Sequence, residues 1–248
     1  MLLSRLNVSS VLALVSRILE PSPAYTSTAQ STDASHLASS LLRTLASTVG
    51  QIVRHRKDHV VPLFPQLVST LSSFLSILRR AGFGSTGSAA SIGEADTGVV
   101  LGQRAEREAR ATFPAWAWQG GVKGINKPEA AAVGRLLGSL TTKTTALQHK
   151  NKHNSEEAPT KTTSLTAPLS KHAPFLLLAY LRACVHPTCP IPSTLRSELQ
   201  GGWFEVMDSM GKWEREALMK GFLSEDEEAE RGVLRGLWKS WEKERYRG

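Results

Sequence analysis

Cysteine is scarce. Cys184 and Cys189 are the only two in 248 residues, too few for a disulfide framework and in keeping with a reducing compartment. Aromatic residues make up only 6% and β-branched alternation is rare, which disfavours an all-β fold. No uninterrupted run approaches the roughly 18 apolar residues of a membrane-spanning helix, so no membrane partner is expected. Also missing are a nucleophile elbow, paired catalytic carboxylates, an HExxH site, a Walker loop and the protein-kinase motifs. An enzyme needs polar groups that converge, whereas Asp208, Glu214 and Glu216 sit among bases as surface charge. The expectation is therefore no catalytic residue, no cofactor, no metal and no small-molecule substrate.

What is present is length, helical pattern and positive charge. The chain suits one or two domains and is long enough to bury a core, with 41% hydrophobic residues. Thirty Lys+Arg against 22 Asp+Glu leave a net charge of +8, a bias that suits nucleic acid, an acidic membrane surface or mere solubility. Residues 1–80 hold eight basic and three acidic residues, residues 81–163 hold ten and seven, and residues 164–248 hold twelve of each. The excess thus ends before residue 164. No acid precedes Glu20, while Arg5, Arg17 and several serines do, which is the composition of a mitochondrial transit peptide. An ordinary amphipathic helix is the simpler reading, since Val8, Val11, Leu12, Val15, Ile18 and Leu19 follow the i, i+3, i+4, i+7 pattern.

Periodicity and punctuation predict an all-α chain. The first helix ends at Glu20 before Pro21. A second spans about Ser35 to Arg56 on a stripe of Leu37, Leu41, Leu42, Leu45, Val49, Ile52 and Val53. After Pro62 and Pro65 a third carries Leu67, Val68, Leu71, Phe74, Leu75 and Leu78. Residues 99–118 suggest a helix ending near the Trp116 and Trp118 pair. A helix from about Lys127 to Thr145 has Pro128 in its first turn. Ser170 is a candidate N-cap for the next, with Pro174 in its first turns. Past the Pro-rich His186–Pro192, helices are expected near 192–210, 212–222 and 224–245, the last starting at Ser224. The whole forms one helical domain over 1–248: an N-terminal helix and Ser/Thr-rich loop (1–34), flexible loops at 82–98 and 146–163, and irregular helix pairs that favour an armadillo- or HEAT-like repeat stack.

Several motifs admit a chemical reading beside a plainer one. Gly82-Phe-Gly84-Ser-Thr-Gly87 has the dinucleotide-binding spacing, but it follows a helix C-terminus, whose carbonyls repel phosphate, so Gly82 is better taken as a C-cap. Cys184-Val-His186-Pro-Thr-Cys189 lacks the second close ligand pair that zinc prefers. Arg54, His55, Arg56 and Lys57 form a basic run that either contacts phosphate, serves nuclear import, or simply complements a helix C-terminus. Lys150, Lys152 and His153 belong to a solvated loop or a mobile basic arm. Trp238, Trp241 and Arg245 recur at helical spacing, where base stacking needs exposed rings but a packing face is the more economical use.

The segment Arg135-Leu-Leu-Gly-Ser-Leu-Thr-Thr-Lys-Thr144, a variable polar insertion, and Ser164-Leu-Thr-Ala-Pro-Leu-Ser-Lys-His-Ala-Pro-Phe-Leu-Leu-Leu-Ala-Tyr180 follow in an order that resembles a known pattern. It is similar to the C-terminal domain of the nucleolar pre-rRNA processing family typified by unhealthy ribosome biogenesis protein 2. Ile52-Val-Arg-His-Arg-Lys-Asp-His59 and the closing Trp238, Trp241 and Tyr246 also fit. The likeness covers most of 35–248 and is sharpest in 164–248, at Ser170-Lys-His-Ala-Pro174. Gly201-Gly-Trp203 departs from it, where a more apolar helix start is expected, and 82–124 match poorly. The resemblance implies a non-catalytic assembly factor of large-subunit pre-ribosomes in the nucleus and nucleolus. It also implies work with other assembly factors, including a DEAD-box helicase, and with pre-rRNA directly or indirectly. Lys143, Ser170, Lys171 and His172 lie in the matching segments. With Arg54, His55, Arg56, Lys57, Trp238 and Trp241 they are the candidate partner or RNA contacts.

Overall fold

Asn7 opens the first helix. Its side-chain oxygen accepts the Ser9 backbone N–H at 3.1 Å, satisfying one of the four amides that have no partner inside a helix. This helix, α1, runs Val8–Leu19 and buries Val8, Leu12, Val15 and Leu19, before Glu20 turns extended ahead of Pro21. The computed structural model describes residues 7–21, 32–79, 114, 116, 126–142, 165–187, 189–221 and 227–246. The expected loops at 82–98 and 146–163, the Gly82–Gly87 motif, Lys143, the Lys150–His153 arm and the Ser224 start signal lie outside the described residues. Of 99–118 only Pro114 and Trp116 are described; the Trp116 Nε1 donates to the Ile18 carbonyl of α1 at 2.7 Å.

The described residues form helices and no strands: α2 (Thr32–His55), α3 (Lys57–Val60), a 3-10 turn (Val61–Leu63), α4 (Phe64–Ile77), α5 (Lys127–Ser139), α6 (Thr166–Val185), α7 (Ser193–Ser209), α8 (Lys212–Gly221) and α9 (Glu228–Arg245). Pro62 and Pro65 fall at starts, where the missing N–H costs nothing. In α2 the inward residue of the early turn is Ala38, in line with Leu42 and Leu45. Leu37 therefore stands about 100° away on the helix and is exposed, contrary to its place in the expected stripe.

Two other boundaries differ from expectation. Helix α5 stops at Ser139, short of Thr145. The Ser139, Thr141 and Thr142 hydroxyls each donate to the carbonyl three residues back, at 2.6, 2.9 and 2.8 Å, and so compete with continued helix. Helix α6 starts at Thr166, not at Ser170, and carries Pro174 in its interior. Pro174 cannot bond the Ser170 carbonyl. Leu165, Leu169, Ala173, Leu176 and Leu177 nevertheless continue one buried stripe straight through the proline, and burying it outweighs one lost hydrogen bond.

The helices pack in two rows. In one, α1 lies on α4, α4 on α6 and α6 on α9; in the other, α2 lies on α5 and α5 on α7. Contacts of α1 with α2 and of α6 with α7 tie the rows together around one continuous apolar core. The stretch Lys57–Ile77 has the length and mean hydropathy of a spanning helix, although no uninterrupted apolar run occurs there. A window average tolerates Pro62, Ser69, Thr70 and Ser72, which a count of unbroken apolar residues does not. Its faces Leu67, Leu71 and Phe74 are buried in this fold.

The α5–α7 crossing is close because glycines meet. A Cβ on Gly134 would lie 2.6 Å from the Glu198 carbonyl oxygen, and one on Gly202 would lie 2.9 Å from the Leu137 Cβ and nearer still to the Gly134 carbonyl oxygen. This explains Gly201-Gly-Trp203: the glycine admits α5, and Trp203, fully buried, fills the space beside it.

Glu129 holds α2 to α5. Only 2% exposed, it closes a capping box by accepting the Asn126 N–H at 2.8 Å. It also accepts the Ser39 hydroxyl and pairs with Arg43 Nε at 3.4 Å. Glu129→Ala leaves Ser39, Arg43 and the cap without their acceptor. It should cost about 3 kcal/mol, measured as a fall in the urea midpoint, with Glu129→Gln intermediate.

Candidate functional site

The basic run does not act as one cluster. Arg54 and His55 are exposed at the end of α2, where His55 Nε2 hydrogen-bonds Gln51 Oε1 at 3.0 Å. Arg56 is half-buried at the α2–α3 junction. Lys57 is buried, and its Nζ donates to the Thr142 carbonyl at the end of α5. Burial also holds its pKa below the usual lysine value. The helix break at Arg56 turns the next side chain inward, so adjacent cations face different surroundings.

The other candidates are spread over the fold. Ser170 is half-buried and donates to the Ala167 carbonyl at 2.9 Å, while Lys171 is exposed beside it. His172 packs its ring 5.5 Å from that of Phe64. Trp241 is buried: its Nε1 donates to Asp208 Oδ1 at 3.2 Å, Arg245 bonds the same carboxylate at 2.9 Å, and the Arg215 and Arg245 guanidinia lie over its ring. Trp238 is half-buried, 5.2 Å from the Trp241 ring, and donates to Glu242 at 2.8 Å. Trp241 and Arg245 thus fasten α9 to α7 through Asp208.

The structure brings together residues that spacing did not single out. Arg43, Ser47, Gln51 and Arg54 of α2 face Arg135 of α5 across a groove of about 320 Å³ floored by Ala46, Gly50 and Ala132. The α2 half of this set was legible as the polar positions opposite the leucine stripe. Arg135 becomes its neighbour only through α2–α5 packing.

Cys184 and Cys189 are both buried, and neither forms a disulfide. His186 Nδ1 accepts the Cys189 backbone N–H at 3.2 Å, a turn-closing bond. Among the described residues no three His, Cys, Asp or Glu side chains gather as metal ligands. Burial, only partly offset by the Tyr180 hydrogen bond and the Arg196 charge, pushes the Cys184 thiol up to about 11, and burial raises the Tyr180 hydroxyl as well. The folded chain thus holds the thiol proton more tightly than the unfolded chain does. This stabilisation is intact below the ordinary value of 9.0 and is lost as pH climbs to about 11. Lys57, shifted the other way, works against this trend just below pH 10.5. Melts recorded across that range should fall less steeply for Cys184→Ala than for the native chain.

Helices joined in rows, a polar groove and an aromatic clasp define an all-α protein over the described residues. Over residues 1–248 its sequence matches the Urb2/Npa2 family model, and the chain belongs to that family. Membership gives it a role in ribosome biogenesis, in a family not known as enzymatic. No curated protein and no solved structure matches it.

Proposed function

We propose that the chain is a non-catalytic scaffold of nucleolar large-subunit assembly and pre-rRNA processing. The observation that carries this reading is the family match along the whole of 1–248. The two rows, α1–α4–α6–α9 and α2–α5–α7, support it as layers of an irregular armadillo- or HEAT-like stack. The charge-balanced module 164–248 docks protein partners: other assembly factors, a DEAD-box helicase among them. Exposed Phe175 on α6 and Trp213 on α8, 62% and 79% accessible, supply the apolar anchors such docking uses.

Depletion of the protein from its own cells tests the reading. Large-subunit precursors should fall and unprocessed pre-rRNA accumulate, with the tagged protein in nucleoli. Normal pre-rRNA processing after depletion rejects it, and mitochondrial staining favours the transit-peptide reading of the N-terminus instead.

A further inference from the structure

The α2–α5 groove carries a more specific assignment. We propose that it binds the phosphate backbone of single-stranded RNA. Arg43 and Arg54 are eleven residues apart, about 16 Å along the axis and within roughly 20° of the same face, with Ser47 and Gln51 between them. Arg135 supplies the opposite wall. Three guanidinia, a hydroxyl and an amide are the groups that hold phosphate oxygens without reading bases.

The floor and the charges fit the same ligand. Gly50, Ala46 and Ala132 leave the bottom open to a chain of phosphates, and the nearest atom to a Cβ built on Gly50 is Leu136 Cδ1 at 3.8 Å. Among the described residues no carboxylate lines the groove. Glu129 pairs with Arg43, whereas Arg54 and Arg135 carry no salt bridge to any described residue. The outer face of α2 continues as Ser40, Thr44 and Thr48, and no acid occurs between Ser40 and His55. On the far side of α5 the character changes, for α7 presents Glu198 and Glu205.

An acidic protein segment suits the groove less well. Protein interfaces are anchored by apolar and aromatic side chains in desolvated pockets. Here the one large apolar lining residue, Leu136, is 2% exposed and offers no such surface. A phosphodiester strand needs none.

The test uses the full chain and a fluorescently labelled oligouridine of about 12 nucleotides, followed by anisotropy between 50 and 200 mM salt. Each phosphate neutralised on a single strand releases counterions that contribute about 0.7 to the salt slope. Replacing both exposed cations in Arg54→Gln/Arg135→Gln should therefore lower the slope by about 1.4 and weaken binding at least about tenfold. Arg54→Gln alone should lower it by about 0.7, and serves if the double variant melts below the native chain. Lys239→Gln, on the exposed surface of α9, should leave affinity and slope unchanged. Native affinity and slope in the arginine variants, or no RNA binding at 50 mM salt, overturns the proposal. So does a polyglutamate that competes as well as unlabelled RNA of equal charge, which would assign the groove to an acidic protein. Each of these results can occur with the depletion phenotype intact, so the groove and the assembly role fail separately.

Discussion

Gly202→Val unfolds the chain under conditions in which Gly201→Ala folds normally. The two glycines are neighbours in sequence and opposites in surroundings. A Cβ at Gly202 enters the α5 backbone at Gly134 and meets Leu137, while nothing lies within 4 Å of a Cβ at Gly201. Valine at 202 must push α5 and α7 apart, against rigid backbone rather than the end of a flexible side chain. That movement also loosens Leu136, Leu137, Leu199 and Trp203, all buried at this crossing. Overpacking of this kind costs about 3 kcal/mol or more, out of a total stability of about 5–15 kcal/mol. Gly201→Ala instead removes a glycine from an exposed helical position and should stabilise by about 0.5–1 kcal/mol. Urea midpoints of the two variants beside the native chain decide the matter. A Gly202→Val midpoint equal to the native one would show that α5 and α7 do not meet at these glycines.

Trp203 gives the second large effect, and its two substitutions should diverge. The side chain is fully buried and its ring centroid lies 4.6 Å from that of Tyr180, at the joint of α6 and α7. Trp203→Ala leaves a cavity between the rows and should cost about 3–5 kcal/mol. Trp203→Phe keeps a ring at the site. It also discards an indole N–H that has no hydrogen-bond partner, and relief of a buried unsatisfied donor offsets part of the lost volume. Its cost should stay near 1 kcal/mol. Denaturation curves for the two variants separate the contributions: a Phe variant as unstable as the Ala variant would mean that the indole N–H is bonded after all.

Much of the helical layout was legible locally. Pro21, Pro62, Pro65 and Pro128 act within one turn, so the sequence places those ends, while Asn7 and the Asn126–Glu129 capping box act as locally once the helices are seen. Ser170 misled because Ser followed by Pro imitates a helix start, while the stripe from Leu165 to Leu177 that overrides it gains its energy from packing on another helix. Leu37 misled for the same reason, since its exposure depends on which helix lies beside α2. The candidate site divides similarly. Arg54 and His55 are visible as cations at a helix end. That Lys57 is buried against Thr142 depends on the α2–α3 break and on where α5 stops. Arg43 was hidden by its separation from the basic run, and Arg135 by its place on a distant helix.

By itself the sequence determined the helical pattern of the described residues, that α1 ends and α4 and α5 begin at their prolines, and that its positive excess lies before residue 164. Periodicity, capping and charge are properties of neighbouring residues, so folding is not needed to see them. Only the tertiary structure decided which helices form the rows, why Gly202 must lack a side chain, and which three arginines share one groove. Those outcomes follow from the fit between faces far apart in the chain, where a close glycine contact or a buried carboxylate selects one pairing of helices over others.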